Sequence, residues 1–141
     1  MYLIYNLLLI IVFILFVLPY YTYRLFTEKG FSRRFRQSLG RVHNKEIEKV
    51  MRKDCIWIHG ASVGEIVATS PLVKQIRQEM PDRPILVSAF TVGGYNMAKQ
   101  IIPEADAIIF FPLDLPFVAE SMVKRIHPGI FMPVETELWP N

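Results

Sequence analysis

The sequence predicts an α/β protein: an N-terminal membrane helix followed by a partial domain built on a parallel sheet. Two observations carry that prediction. A bilayer-length apolar run opens the chain, and from residue 54 onward short apolar runs alternate with helix-like stripes and turn residues. The order implies three stretches: residues 1–23 as membrane anchor, 24–53 as a basic juxtamembrane segment and connector, and 54–141 as the α/β part.

The anchor comes first. Of the 141 residues 52% are hydrophobic, and the excess sits at one end rather than being spread through the chain. Between Leu3 and Tyr23 the clearly polar residues are Asn6 and Thr22. A spanning helix needs about 20 predominantly apolar residues. Tyr20, Tyr21 and Tyr23 suit a membrane–water interface, and Pro19 falls near the end of the run, where a kink or exit is tolerated. A cleaved signal peptide is disfavoured: no Lys or Arg precedes the run and bulky tyrosines stand where small residues would be cut. The basic residues follow the run, which places the rest of the chain on the cytoplasmic side. A helix lying in one leaflet without crossing it fits the same residues.

The formal net charge of +3 is uneven. Arg24, Lys29, Arg33, Arg34, Arg36 and Arg41 crowd after the apolar run. Anionic membrane lipid is the expected partner for such a patch; no nucleic-acid motif accompanies it, so nucleic acid is not expected. Phe31, Phe35 and Leu39 recur at helical spacing with arginines between them. A surface helix with Arg33, Arg34 and Arg36 toward the membrane fits this pattern, and so does a helix packed on its own domain. The charged stretch from Val42 to Asp54 reads as a connector.

Cys55-Ile56-Trp57-Ile58-His59 is the first strand, Ile85 to Phe90 the second, Ala107 to Phe111 the third, and Gly129 to Met132 opens a fourth. Their continuous apolar character suits strands buried on both faces. Helices follow the first three: one from the Gly60–Gly64 turn to before Pro81, one from Thr91–Gly94 to near Pro103, and one from Phe117 to Ile126. Cys55 is the single cysteine, so no intramolecular disulfide forms, and it reads as a small buried hydrophobe. His59 and His127 have no second ligand at metal spacing, so no metal site is expected.

In open α/β sheets ligands bind beyond the carboxyl ends of the strands. Four segments should therefore meet at one edge: His59 to Glu65, Thr91 to Gly94, Pro112 to Asp114, and Glu135 to Asn141. Ser62 and Glu65 have capping-box spacing. Glu65 is also placed to act as a base, since an ordinary Glu, with a pKa of about 4.3, is ionised at neutral pH. Glu135 and Glu137 read either as functional carboxylates or as acidic residues at a helix start. Asp114 reads as a cap for the third helix.

These residues together resemble the 3-deoxy-D-manno-octulosonic acid (Kdo) transferase family. The resemblance rests on His59-Gly60-Ala61-Ser62-Val63-Gly64-Glu65, Pro71-Leu72, Thr91 with Gly94, Pro112-Leu113-Asp114-Leu115-Pro116, Pro128, and Glu135-Thr136-Glu137-Leu138-Trp139-Pro140-Asn141. It implies a Rossmann-like acceptor-binding domain, the first half of a GT-B glycosyltransferase, on the cytoplasmic face of the bacterial inner membrane. The implied reaction moves Kdo from the donor CMP-Kdo to the lipid A precursor (lipid IVA) in lipopolysaccharide core biosynthesis, with no metal and no other cofactor. Glu65 maps to the general base and Glu135 to a group assisting the transition state. Ser62, Gly64, Thr91, Gly94, Asp114 and Glu137 become candidates for acceptor binding. The family continues beyond Asn141 into a donor domain, so the 141 residues alone are expected to be inactive and poorly stable. Two departures stand out: Gly93 replaces a hydroxyl residue, and Pro133 is awkward in a central strand. The competing reading is a non-catalytic membrane-bound α/β module that binds lipid or a partner through the same edge.

Overall fold

The computed structural model describes residues 2–27, 30–115 and 117–135. Four parallel strands form one sheet in the order β3-β2-β1-β4: β1 Ile56–Gly60, β2 Ile85–Ala89, β3 Ala107–Phe110 and β4 Ile130–Pro133. The register sets Ile58 beside Val87 and Met132, and His59 beside Ser88 and Pro133. Pro133 thus lies at the last paired position of β4, on a strand at one edge of this sheet, where its missing N–H costs no ladder bond.

Helices α5 (Val63–Glu79) and α6 (Val92–Ile101) cover one face of the sheet. Ile56, Ile58, Val87 and Ala89 point to that side and pack with Ile66, Val73, Ala98 and Ile102. Pro71 sits inside α5 without ending it. On the other face Trp57, Leu86 and Ile109 pack with Met122 and Ile126 of α7 (Val118–Ile126). The same cluster takes in Val42, Ile47 and Val50. The charged stretch expected as a connector therefore carries three core residues, around the short helix α4 (Asn44–Ile47). Its apolar residues are too sparse to show periodicity, which is why the sequence hid them.

The N-terminal run is helical from α1 (Tyr2–Val12) through a π-helical stretch (Phe13–Val17) to α2 (Leu18–Thr27). Residues Ile4–Arg24 are long and apolar enough to cross a membrane. Helix α3 (Phe31–Ser38) packs on the domain. Phe31, Arg34, Gln37 and Ser38 are buried, while Arg33 and Arg36 are exposed. Gln37 explains the docking. Its amide oxygen accepts the Phe110 N–H at 2.9 Å, and the Ser38 carbonyl accepts the Leu113 N–H at 2.8 Å. Helix α3 thereby satisfies one backbone donor on the outer side of β3, which would otherwise be an open edge, and one in the loop that follows.

Candidate active site

The sheet order fixes where a ligand can reach. The chain moves outward from β1 through β2 to β3, then crosses back to place β4 on the other side of β1. That reversal opens a crevice beyond the carboxyl ends of β1 and β4. Glu65 follows β1 and Glu135 follows β4, so both carboxylates stand at this switch point. Val134, next to Glu135, donates its N–H to the His59 carbonyl at 2.9 Å. Glu135 is exposed.

Glu65 is held on three sides. Its Oε2 accepts the Ala61 N–H at 2.7 Å. Its Oε1 accepts the Ser62 N–H at 3.1 Å and the Ser62 hydroxyl at 2.6 Å. The Glu65 N–H returns to Ser62 Oγ at 3.4 Å, completing a capping box. Burial pushes the carboxyl pKa up, but the Ser62 hydroxyl, the Ala61 and Ser62 amides and His59 outweigh it, and the net shift is downward. A carboxylate has about four lone-pair sites, so three bonds leave one for a substrate hydroxyl. The capping box and an ionised acceptor are thus one arrangement.

Thr91 caps α6. Its Oγ1 accepts the Gly94 N–H at 3.0 Å and donates to the Ala61 carbonyl at 3.3 Å. Gly94 is buried, and a Cβ there would come within 3.1 Å of Thr91 Oγ1 and 3.4 Å of the Ala61 carbonyl. A Cβ on Gly93 would meet Val63 at 3.2 Å, so the absent side chain leaves α5 and α6 room to meet. Gly64 is exposed, and a Cβ there would lie 4.0 Å from Ser62 Oγ, in ordinary contact. The sheet edge therefore gathers Ser62, Gly64, Glu65, Thr91 and Gly94 as the sequence led one to expect.

Other candidates behave differently. Asp114 accepts the Tyr5 hydroxyl at 2.6 Å, and the N-cap position of α7 is taken by Phe117 at φ 68°. The expectation that Asp114 caps this helix is corrected. Arg34 is buried instead of standing on the exposed side of its helix: it is 6% exposed, bonds the Tyr21 hydroxyl at 3.0 Å and lies over the Tyr21, Phe31 and Phe90 rings. Arg33 reaches the Tyr95 hydroxyl at 3.1 Å. Glu137 lies outside the described residues, as does the rest of the motif after Glu135.

His59 is the residue the sequence undervalued. It is 3% exposed, stacks on Phe111 with centroids 3.9 Å apart, and sets Nδ1 3.1 Å from the Ser88 carbonyl. Ser88 Oγ lies 3.0 Å from Nδ1 and accepts the Trp57 indole N–H at 2.8 Å. Burial pushes the His59 pKa down, against upward pulls from the Ser88 bond and Glu65. The useful signal was the pairing of His59 with Ser88 across β1 and β2, which needs a register that no single sequence prints. Among the described residues no three His, Cys, Asp or Glu side chains gather where they could hold a metal.

Comparison with known proteins adds a family. Residues 33–141 match the family model described as 3-Deoxy-D-manno-octulosonic-acid transferase (kdotransferase). The 3-deoxy-D-manno-octulosonic acid transferase of Haemophilus influenzae is 40% identical over 86 residues, covering 61% of this chain and 20% of the relative. That of Chlamydia muridarum is 35% identical over 85 residues, 60% of this chain and 20% of the relative. That of Rickettsia felis is 30% identical over 103 residues, 73% of this chain and 22% of the relative. The chain spans about a fifth of the length of these relatives.

Proposed function

The chain belongs to the 3-deoxy-D-manno-octulosonic-acid transferase family, and from that premise we propose that it supplies the acceptor side of an enzyme moving Kdo from CMP-Kdo to the lipid A precursor. In this reading the domain is the first half of a GT-B enzyme. A following donor domain binds CMP-Kdo, and no metal takes part. The N-terminal helix holds the protein at the cytoplasmic face of the inner membrane, beside anionic lipids and its acceptor.

The observation that carries the proposal is the Glu65 carboxylate, kept ionised at the switch point with acceptor capacity to spare. An acceptor hydroxyl that bonds this carboxylate gives up its proton as its oxygen attacks the anomeric carbon of the donor sugar, and cytidine monophosphate leaves. Glu135, just after β4, stabilises positive charge developing on that sugar. A depressed pKa makes Glu65 a weaker base but keeps it charged across the neutral range, so the two effects oppose each other.

The competing reading, a non-catalytic lipid-binding module, draws on the same capping box, because a carboxylate can hold a helix start and do nothing else. The Glu65→Gln variant of the full-length protein separates them. Gln retains size and its one carbonyl oxygen can accept the Ser62 N–H of the capping box, but it takes no proton. Loss of about 100- to 10,000-fold in Kdo transfer, with the melting temperature kept, is expected. Turnover near wild type would make Glu65 a cap alone.

A further inference from the structure

The N-terminal helix runs across the carboxyl edge of the sheet. Its first turn is tied to the domain by the Tyr5–Asp114 bond, and its last turns by Tyr21, which is 3% exposed and packs its ring 5.0 Å from Phe31. From Tyr5 to Arg24 an α-helix rises about 28 Å, close to a hydrocarbon thickness. Both ends nevertheless lie against the same domain, so the helix lies beside it instead of leading away.

Two hollows separate helix and domain. One, of about 300 Å³, lies between Leu9, Val12 and Phe13 on the helix and Phe111, Leu113 and Leu115 on the domain. The other, of about 630 Å³, lies between Tyr20 and Arg24 on one side and Arg34, Thr91 and Gly93 on the other. Val17, Phe90 and Leu113 border both. The combined groove is apolar toward Tyr5 and cationic toward Arg24. Arg34 is its polar anchor. It has no carboxylate partner among the described residues, and its buried Nε has no hydrogen-bond partner there. Helix α6 starts at the same wall with Val92 and Gly93, whose amides have no acceptor within their own helix. The groove also reaches the site: the Phe90 and Thr91 N–H groups both donate to the carbonyl of Ala61, whose own N–H bonds Glu65.

We propose that this groove seats the acceptor lipid, its anionic headgroup on Arg34 and the start of α6, and an acyl chain in the slot between Leu9–Phe13 and Phe111–Leu115. Three observations select an acylated occupant. The helix wall continues outward into exposed apolar residues, Ile4, Leu7, Leu8, Leu15 and Phe16, so the slot opens beside hydrocarbon. Among the described residues the buried guanidinium lacks a counter-charge. The polar end abuts the loop that positions Glu65. Naming the acceptor as that lipid rests on the transfer reading above; the groove does not.

The test uses the full-length protein in phosphatidylcholine nanodiscs doped with phosphatidic acid bearing a photoreactive acyl chain. Peptide mapping should find label on residues 111–115. Leu9→Trp, which fills the slot from the helix side without touching the sheet core, should cut it about tenfold, as should Arg34→Gln by removing the charge-assisted anchor. Excess unlabelled lipid A precursor should compete. Label confined to Ile4, Leu7 and Leu15, or unaffected by Leu9→Trp, overturns the groove. Label that the precursor does not displace overturns the acceptor as occupant and leaves a bulk anionic phospholipid. If the precursor competes but the wild type transfers no Kdo, the transfer reading fails while the groove stands.

Discussion

At the scale of single residues, Ser62 and His59 are the informative positions. Ser62 serves Glu65 twice, through its N–H and its hydroxyl. Ser62→Ala should cost about 1 kcal/mol of stability, read by denaturant unfolding. It also removes a bond that favours the ionised carboxyl, so the Glu65 pKa should rise. The acid limb of the pH–rate profile should then move to higher pH; a limb that stays in place would separate Glu65 from the rate. His59 titrates in a different window. Its folded pKa lies below the unfolded value of about 6.5, because burial disfavours the charged ring. The resulting stability is complete above that value and lost as pH falls through the folded one. Unfolding free energy measured from pH 7 downward should therefore decline, and His59→Gln should flatten the decline. An unchanged slope would point to another group.

Among elements, the alternation of strands and helices was plain in the sequence, because buried parallel strands are continuously apolar and their turns are marked by Gly and Pro. The four strands fall within a residue or two of the expected places. The capping box was equally open to reading, since Ser62 and Glu65 are three apart. What the sequence concealed were the partners that arrive from far along the chain. For helix α3 the sequence left a membrane-surface helix and a helix packed on its domain equally open, because charge is visible and burial is not; Gln37 meets Phe110, 73 residues away. Gln37→Leu leaves the Phe110 N–H buried without an acceptor and should destabilise by about 1–3 kcal/mol. A cost near zero would mean that water reaches β3. The burial of Arg34 was hidden for the same reason: its aromatic surroundings come from Tyr21, Phe31 and Phe90, and only Phe31 is near in sequence.

For the molecule as a whole, both faces of the sheet are covered by buried clusters, and Cys55 lies inside one of them with its thiol pushed up to about 11, chiefly by burial. Alkylation at pH 8 therefore reports global opening. The native protein should react far more slowly than the denatured one, and rapid labelling under native conditions would show that the second cluster opens readily. Strand β4 presents an edge in this chain, with Ile130 and Phe131 partly exposed. The isolated 141-residue chain should accordingly associate as its concentration rises, visible by size-exclusion chromatography.

The π-helical stretch Phe13–Val17 has a consequence in angular phase. Along the side of the helix that faces its domain Tyr5, Leu9, Phe13, Val17 and Tyr21 recur every four residues, with Val12, Phe16 and Tyr20 beside them. An ordinary α-helix overshoots by about 40° at each such step, so by the fourth its contact stripe has wound roughly 160° away. The wider π turn absorbs about one residue's rotation, roughly 100°, and so takes back most of that drift between Tyr5 and Tyr21. The segment acts as a clutch between two halves of a rod. Deleting Ile14 should let the stretch close to an ordinary α-helix with Tyr5 and Tyr21 still engaged, and a loss of either contact would show that the wide turn does not set the phase.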